Sequence, residues 1–207
     1  MTFDTPTASS TGFDSAALAG ATVAFLIAPE GAEQSETIQP WEAVTLAGGR
    51  AVLVCPEAGE AQLFEHLDRG IRMPVDRKLA DADPGDFDAL VLPGGVANPD
   101  MLRTDLDAVH FAIAFLLAGK PIAAICHAPW LLVEAGMVRD RMLTSWPSLR
   151  TDIANAGGIW HDRPVVVCRN GPNVLVTSRK PDDLPQFCGT LVEEFAPLAQ
   201  PGVSRAR

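Results

Sequence analysis

Lys120–Trp130, KPIAAICHAPW, places a lone cysteine where a short apolar run meets a helix start. Pro129 falls in the first turn of that helix and Gly136 just past its end. This is the pattern of a strand–Cys–helix elbow. Such an elbow holds Cys126 at the carboxyl edge of a sheet, where the helix dipole and unpaired first-turn amides favour thiolate over thiol. A cysteine nucleophile also needs donors for a developing oxyanion and a proton shuttle. The His127 amide is one natural donor and its imidazole the natural shuttle. Gly94 and Gly95, in PGGVANPD, offer backbone that can approach a ligand closely. After the first strand, APEGAEQSE adds Glu30, Glu33 and Glu36.

These groups can act together only if the fold gathers their loops. Apolar runs at Thr22–Ala28, Ala51–Cys55, Asp88–Leu92 and Pro121–Ile125 alternate with helical segments at Ser35–Ala47, Pro99–Ala118 and about Asp182–Phe195. Gly70–Asp83 reads as a short hairpin. Met142–Thr144 is a brief strand, and Pro147–Ala156 a helix. Val165–Cys168 and Val174–Thr177 form a hairpin about Asn170-Gly171-Pro172-Asn173. Continuous apolar strands alternating with helices predict an α/β fold, a mostly parallel sheet covered on both faces. Its ligands belong beyond the carboxyl ends of the strands, where strand order reverses.

The chain has 207 residues, 47% of them hydrophobic, enough for one substantial core. The domain is expected over residues 21–197, between polar tails at 1–20 and 198–207. A net charge of −10 argues against nucleic acid as a partner. No apolar run reaches the ~18 residues of a membrane span, and the start lacks the basic region of a secretory signal. Cys55, Cys126, Cys168 and Cys188 show no CxxC spacing, so a reducing cytoplasm without disulfides is expected. No His/Cys/Asp/Glu cluster has metal-ligand spacing, and no cofactor is expected. His66, His110 and His161 read as structural or exposed, and Trp146 as a candidate wall of the site.

DALVLPGG, AAICHAP, LTSWPSLRTDIANAGG and VTSRKPDDLPQF resemble the PfpI family, also called intracellular protease I, in its general-stress-protein branch. These are bacterial and archaeal relatives of the human parkinsonism-associated deglycase. The resemblance runs from about Ala21 to Pro197. It implies a flavodoxin-like three-layer sandwich and a homo-oligomer, dimeric or larger. By the same resemblance Cys126 is the nucleophile, His127 its adjoining histidine, and Glu33 the glutamate that hydrogen-bonds the cysteine. A neighbouring subunit supplies an acid to orient the histidine. Asp100 is the nearest match, an aspartate where the family has glutamate, about one residue out of register. The implied activities are peptidase, glyoxalase and deglycase, on small aldehydes, glycated amino acids or peptides. A different class remains open: a non-enzymatic redox sensor or chaperone whose Cys126 is oxidised to sulfinic acid. A class I glutaminase needs a late His-x-Glu, absent after Cys126.

Overall fold

A computed structural model describes residues 14–199. In chain order the strands are β1 (Thr22–Leu26), β2 (Glu30–Glu33), β3 (Arg50–Cys55), β4 (Glu60–Glu65), β5 (Asp68–Pro74), β6 (Arg77–Lys78), β7 (Ala89–Leu92), β8 (Ile122–Ile125), β9 (Met142–Leu143), β10 (Ile159–Trp160), β11 (Val165–Cys168) and β12 (Leu175–Ser178). The α-helices are α1 (Gln34–Leu46), α2 (Ala97–Thr104), α3 (Leu106–Leu117), α4 (Pro129–Glu134), α5 (Arg150–Asn155) and α6 (Leu184–Phe195).

Seven strands form the central sheet in the order β11-β12-β8-β7-β1-β3-β6. All neighbours run parallel except β11, which folds back antiparallel on β12. The strands are apolar throughout because both faces are covered. Val23, Phe25, Leu53, Val91 and Ile125 point into a core shared with α1 and α6. Ala24, Leu26, Val54, Leu90 and Ala124 point into a second core with α3 and α4. The period-2 alternation of strand side chains divides neighbouring residues between the two layers. The chain leaves β1 towards β3 and later returns on the other side as β7, so the loops after β1 and β7 diverge above a crevice.

Several local expectations are corrected. The segment read as one helix over Pro99–Ala118 is two, because Asp105 turns extended and caps α3 through the amides of Asp107 and Ala108. The hairpin lies over β4–β5 rather than Gly70–Asp83, and joins β2 in a small side sheet. β4 alternates, burying Ala61 and Leu63, but β5 is largely exposed and carries no such pattern. Pro147–Leu149 is a 3-10 turn leading into α5. Within the expected amino-terminal tail, Leu18 is fully buried in the α1-side core and its amide bonds Ala47 O at 2.8 Å. Structure therefore begins before Ala21. The rest of that tail, 1–13, and residues 200–207 lie outside the described residues. Among the described residues, no helix is long and apolar enough to cross a membrane.

Candidate active site

The elbow after β8 is sharp. Cys126 has φ +63°, a left-handed conformation that costs a non-glycine residue about 1–3 kcal/mol. Three contacts hold it there. Its amide bonds Ser178 O at 3.0 Å, its carbonyl accepts from Trp146 at 2.8 Å, and the Ala128 amide closes the turn on Ile125 O at 3.0 Å. The TSWP segment is thus tied to the elbow by backbone. Helix α4 has six residues, so its dipole is short; the local amides matter more.

His127 meets the cysteine within one chain: Nδ1 lies 3.2 Å from Sγ. Its ring stacks on Trp146 at 5.6 Å and 23°, and leans against Trp130 at 5.2 Å. Trp146 is 37% exposed and walls the site, as expected. Nε2 faces Ser148 Oγ at 3.5 Å, a partner the sequence reading did not name. His127 is 7% exposed, and burial lowers its pKa to about 4, leaving a neutral imidazole.

The carboxyl beside the sulfur is that of Glu36, which corrects the expectation for Glu33. Glu33 ends β2 and its side chain turns away: Oε2 accepts the His66 amide at 3.0 Å, and Oε1 takes Ser35 Oγ at 3.3 Å. Three residues on, in the first turn of α1, Glu36 is fully buried. Its carboxyl faces the Cys126 thiol and the amides of Gly94 and Gly95. A Cβ on Gly94 would overlap Glu36 Oε2 and sit 2.6 Å from Cys126 Cβ. A bare glycine is therefore required between carboxyl and thiol. Gly95 has φ +84° and leaves no room for a Cβ against Gly31 O.

Asn98, fully buried, ties these loops together: Oδ1 accepts from Ala28 N at 2.7 Å, and Nδ2 donates to Pro93 O at 2.8 Å and Gly94 O at 3.1 Å. Sequence reasoning missed it. Its signal was an asparagine three residues past a Gly-Gly turn, too common to stand out. Asp100 sits in the first turn of α2, exposed, and does not reach His127 within this chain.

Desolvation, then the neighbouring Glu33, push the Glu36 carboxyl up to about 8, so it keeps its proton at neutral pH. Burial also pushes the Cys126 thiol up, an ionised Glu36 would push it further, and the amides of Gly95 and His127 pull it down. The protonated Glu36 puts no like charge beside the sulfur, and the two groups titrate as a pair. Neither Glu36 oxygen completes a hydrogen bond of full geometry, so buried donor and acceptor capacity faces the sulfur unspent. Cys126 is 6% exposed. Among the described residues, no group of three His, Cys, Asp or Glu could hold a metal ion.

The DJ-1/PfpI family profile matches residues 21–194. Protein/nucleic acid deglycase 2 of Escherichia coli K12 is 39% identical over 165 residues, covering 80% of this chain and 92% of that protein. General stress protein 18 of Bacillus subtilis 168 is 40% identical over 155 residues, covering 75% of this chain and 87% of that one. The crystal structure of Drosophila melanogaster DJ-1beta superposes with a TM-score of 0.75 at 27% identity, over 85% of this chain and 90% of the other. With the match running from the first strand into the last helix, and such relatives aligned along most of their own length, this chain belongs to the DJ-1/PfpI family.

Proposed function

We propose that this protein is a cysteine-dependent stress-response enzyme that adds the Cys126 sulfur to carbonyl carbon, acting on small 2-oxoaldehydes and their early adducts on amines. The observation that carries the reading is the convergence on one sulfur of His127 Nδ1 at 3.2 Å, the protonated Glu36 carboxyl, and the amides of Gly95 and His127. A buried thiol beside a histidine flanked by Trp130 and Trp146 suits a small planar electrophile better than an extended peptide.

The S–C bond forms as the thiol proton passes to His127 Nδ1, a neutral base. The carbonyl electron pair moves onto oxygen, where the Gly95 and His127 amides stabilise it. The His127 proton, or that of Glu36, then gives a neutral hemithioacetal. With a 2-oxoaldehyde, moving the proton from the sulfur-bearing carbon to the adjacent carbonyl carbon yields a thioester. Water cleaves that thioester to a 2-hydroxy acid and free thiol, and the net reaction is hydration. An amine adduct differs in releasing the amine when its carbon is transferred to sulfur.

Glu36 acts as the donor to sulfur and His127 as the shuttle. In a homo-oligomer, the exposed Asp100 of a second copy orients His127; Glu33 anchors the β4–β5 hairpin instead. The test is turnover of the purified full chain on methylglyoxal, a methylglyoxal-modified amino acid and a casein-type peptide, beside Cys126→Ala. Hydroxy-acid formation that vanishes in Cys126→Ala is expected. Peptide cleavage alone, or no turnover with Cys126 accumulating as sulfinic acid, overturns the reading in favour of a peptidase or a redox sensor.

A further inference from the structure

Two consecutive peptide planes, the one joining Pro93 to Gly94 and the one joining Gly94 to Gly95, border both reacting groups. The Gly94 amide faces the Glu36 carboxyl, and the Gly95 amide faces that carboxyl and the Cys126 sulfur. Among the described residues no peptide bond is cis, so each N–H points away from the carbonyl oxygen of its own plane. Whatever holds the two carbonyls therefore aims the two amides. The loop has no ladder of its own to do this, since β7 ends at Leu92 and α2 starts at Ala97. Two adjacent glycines without side chains also leave the plane between them free to turn over.

Asn98, in the first turn of α2, holds both carbonyls. Its Nδ2 has two hydrogens and donates to Pro93 O at 2.8 Å and to Gly94 O at 3.1 Å. Its Oδ1 accepts from Ala28 N, just past β1, at 2.7 Å. Carbonyls only accept and a backbone amide only donates, so these partners fix which end of the carboxamide is which. Gly94 O takes a second donor from the same side, Glu33 N at 3.3 Å. The neighbouring loop packs hard against this corner. A Cβ on Gly31 would stand 2.6 Å from Ala97 Cβ and 3.0 Å from Asn98 N.

A bridge needed only to join the end of β1 to α2 could do so through one carbonyl. Gripping two in succession does more, because it fixes the rotation of both planes. Few side chains of this length can do it. Aspartate would accept from Ala28 equally well but would set an oxygen against the two carbonyl oxygens. Serine has one hydrogen to donate, and glutamine is a carbon longer in a site with no free volume around a fully buried side chain.

We propose that Asn98 is a positioning residue for the chemistry at Cys126: by gripping the Pro93 and Gly94 carbonyls it aims the Gly94 amide at Glu36, and the Gly95 amide at the sulfur and at the oxygen that gains charge in carbonyl addition. Asn98 itself touches no substrate. Donors to a developing oxyanion help most when they are already aimed before the charge appears, and the grip supplies that. Once the carbonyls are released, the plane between the two glycines can turn over and present an oxygen where the amide should be. The oxyanion half of this assignment rests on the carbonyl chemistry proposed above, whereas the sulfur half does not.

The test uses the full chain with Asn98→Asp, which keeps the size and the acceptor for Ala28, and with Asn98→Ser, which is too short to span both carbonyls. With methylglyoxal, kcat should fall roughly a hundredfold with KM within about threefold, the scale for a lost oxyanion donor. Iodoacetamide alkylation of Cys126 makes no oxyanion and should slow only about fivefold near neutral pH, as the thiolate loses one amide donor. A folded variant with unchanged kcat overturns the proposal. A kcat loss no larger than the alkylation loss overturns the oxyanion half. Faster alkylation means that the site has merely loosened, and overturns the aim at sulfur. A third arm needs no variant. In wild-type protein both Asn98 carboxamide protons should exchange with deuterium, by NMR, roughly a hundredfold more slowly than those of the exposed Asn155. Rapid exchange of either one overturns the double grip. A wild type without turnover on methylglyoxal removes the carbonyl reading and the oxyanion half with it, while alkylation and exchange still decide the rest.

Discussion

Cys126 and Cys168 are both buried sulfurs at the ends of strands in one sheet, yet their neighbours differ. Cys126 faces a carboxyl that must stay protonated and a histidine that must stay neutral. Cys168 lies beside the buried Arg141, which donates to its backbone carbonyl, while its sulfur meets Asn170 O at 3.6 Å. Burial raises both thiols, and what decides the outcome is the charge across from each. The first arrangement holds its proton until an electrophile arrives, with a base 3.2 Å away to take it. In the proposed reaction Cys126 needs no resting thiolate, because its proton leaves for His127 as the S–C bond forms. Cys188 is the contrast to both: burial and Glu42 push it up to about 12, with nothing to offset them.

The contrast breaks first at turnover. Cys126→Ala should lower hydroxy-acid formation from methylglyoxal by roughly a thousandfold or more, the usual scale for a lost nucleophile. Cys168→Ser should stay within about twofold. Comparable losses in steady-state kinetics would show that the two edges are not functionally separate.

Stability against pH probes the Cys126 side next. The stability tied to protonated Glu36 is full below its ordinary value of 4.5 and is lost as the pH rises through about 8. His127 works oppositely: its pKa falls from 6.5 to about 4, so stability is lost as the pH drops through that window. Between 4.5 and 6.5 the two slopes offset one another. From about pH 6.5 to 8 only Glu36 remains, and chemical denaturation should record a loss of about 1–2 kcal/mol. Glu36→Gln, which buries no charge, should flatten that limb. An unchanged limb would remove Glu36 from the thiol's surroundings.

The smallest expected effect belongs to Ser148→Ala. Losing a 3.5 Å contact to His127 Nε2 should lower kcat a few-fold at most, with KM unchanged. A drop near that of Cys126→Ala would make Ser148, rather than Asp100 of a second copy, the group that orients the histidine.

Much of this was legible along the chain. The sheet and its helices followed from apolar runs and their period, since local pattern and burial on two faces coincide there. The elbow was legible because strand, cysteine, histidine and helix start are contiguous in Ile122–Trp130. So was the Gly94–Gly95 turn, a local feature whose reason, room between Glu36 and Cys126, appears only in three dimensions. The β4–β5 hairpin was misplaced because it is largely exposed and carries weak alternation.

Sequence alone determined that one cysteine stands at an elbow and that a glutamate follows the first strand. Tertiary structure decided which glutamate. Glu33 and Glu36 are three residues apart on the same stretch, but α1 begins between them. Strand geometry sends the first towards His66, and the helical turn sends the second inward to Gly94 and Cys126. The hydrogen bond from Arg141 to the Cys168 carbonyl was likewise invisible, because 27 residues separate the two. Residue type and order set what each group could do. Long-range packing set which charge each sulfur faces, because Coulomb and desolvation terms depend on distances that no local pattern encodes.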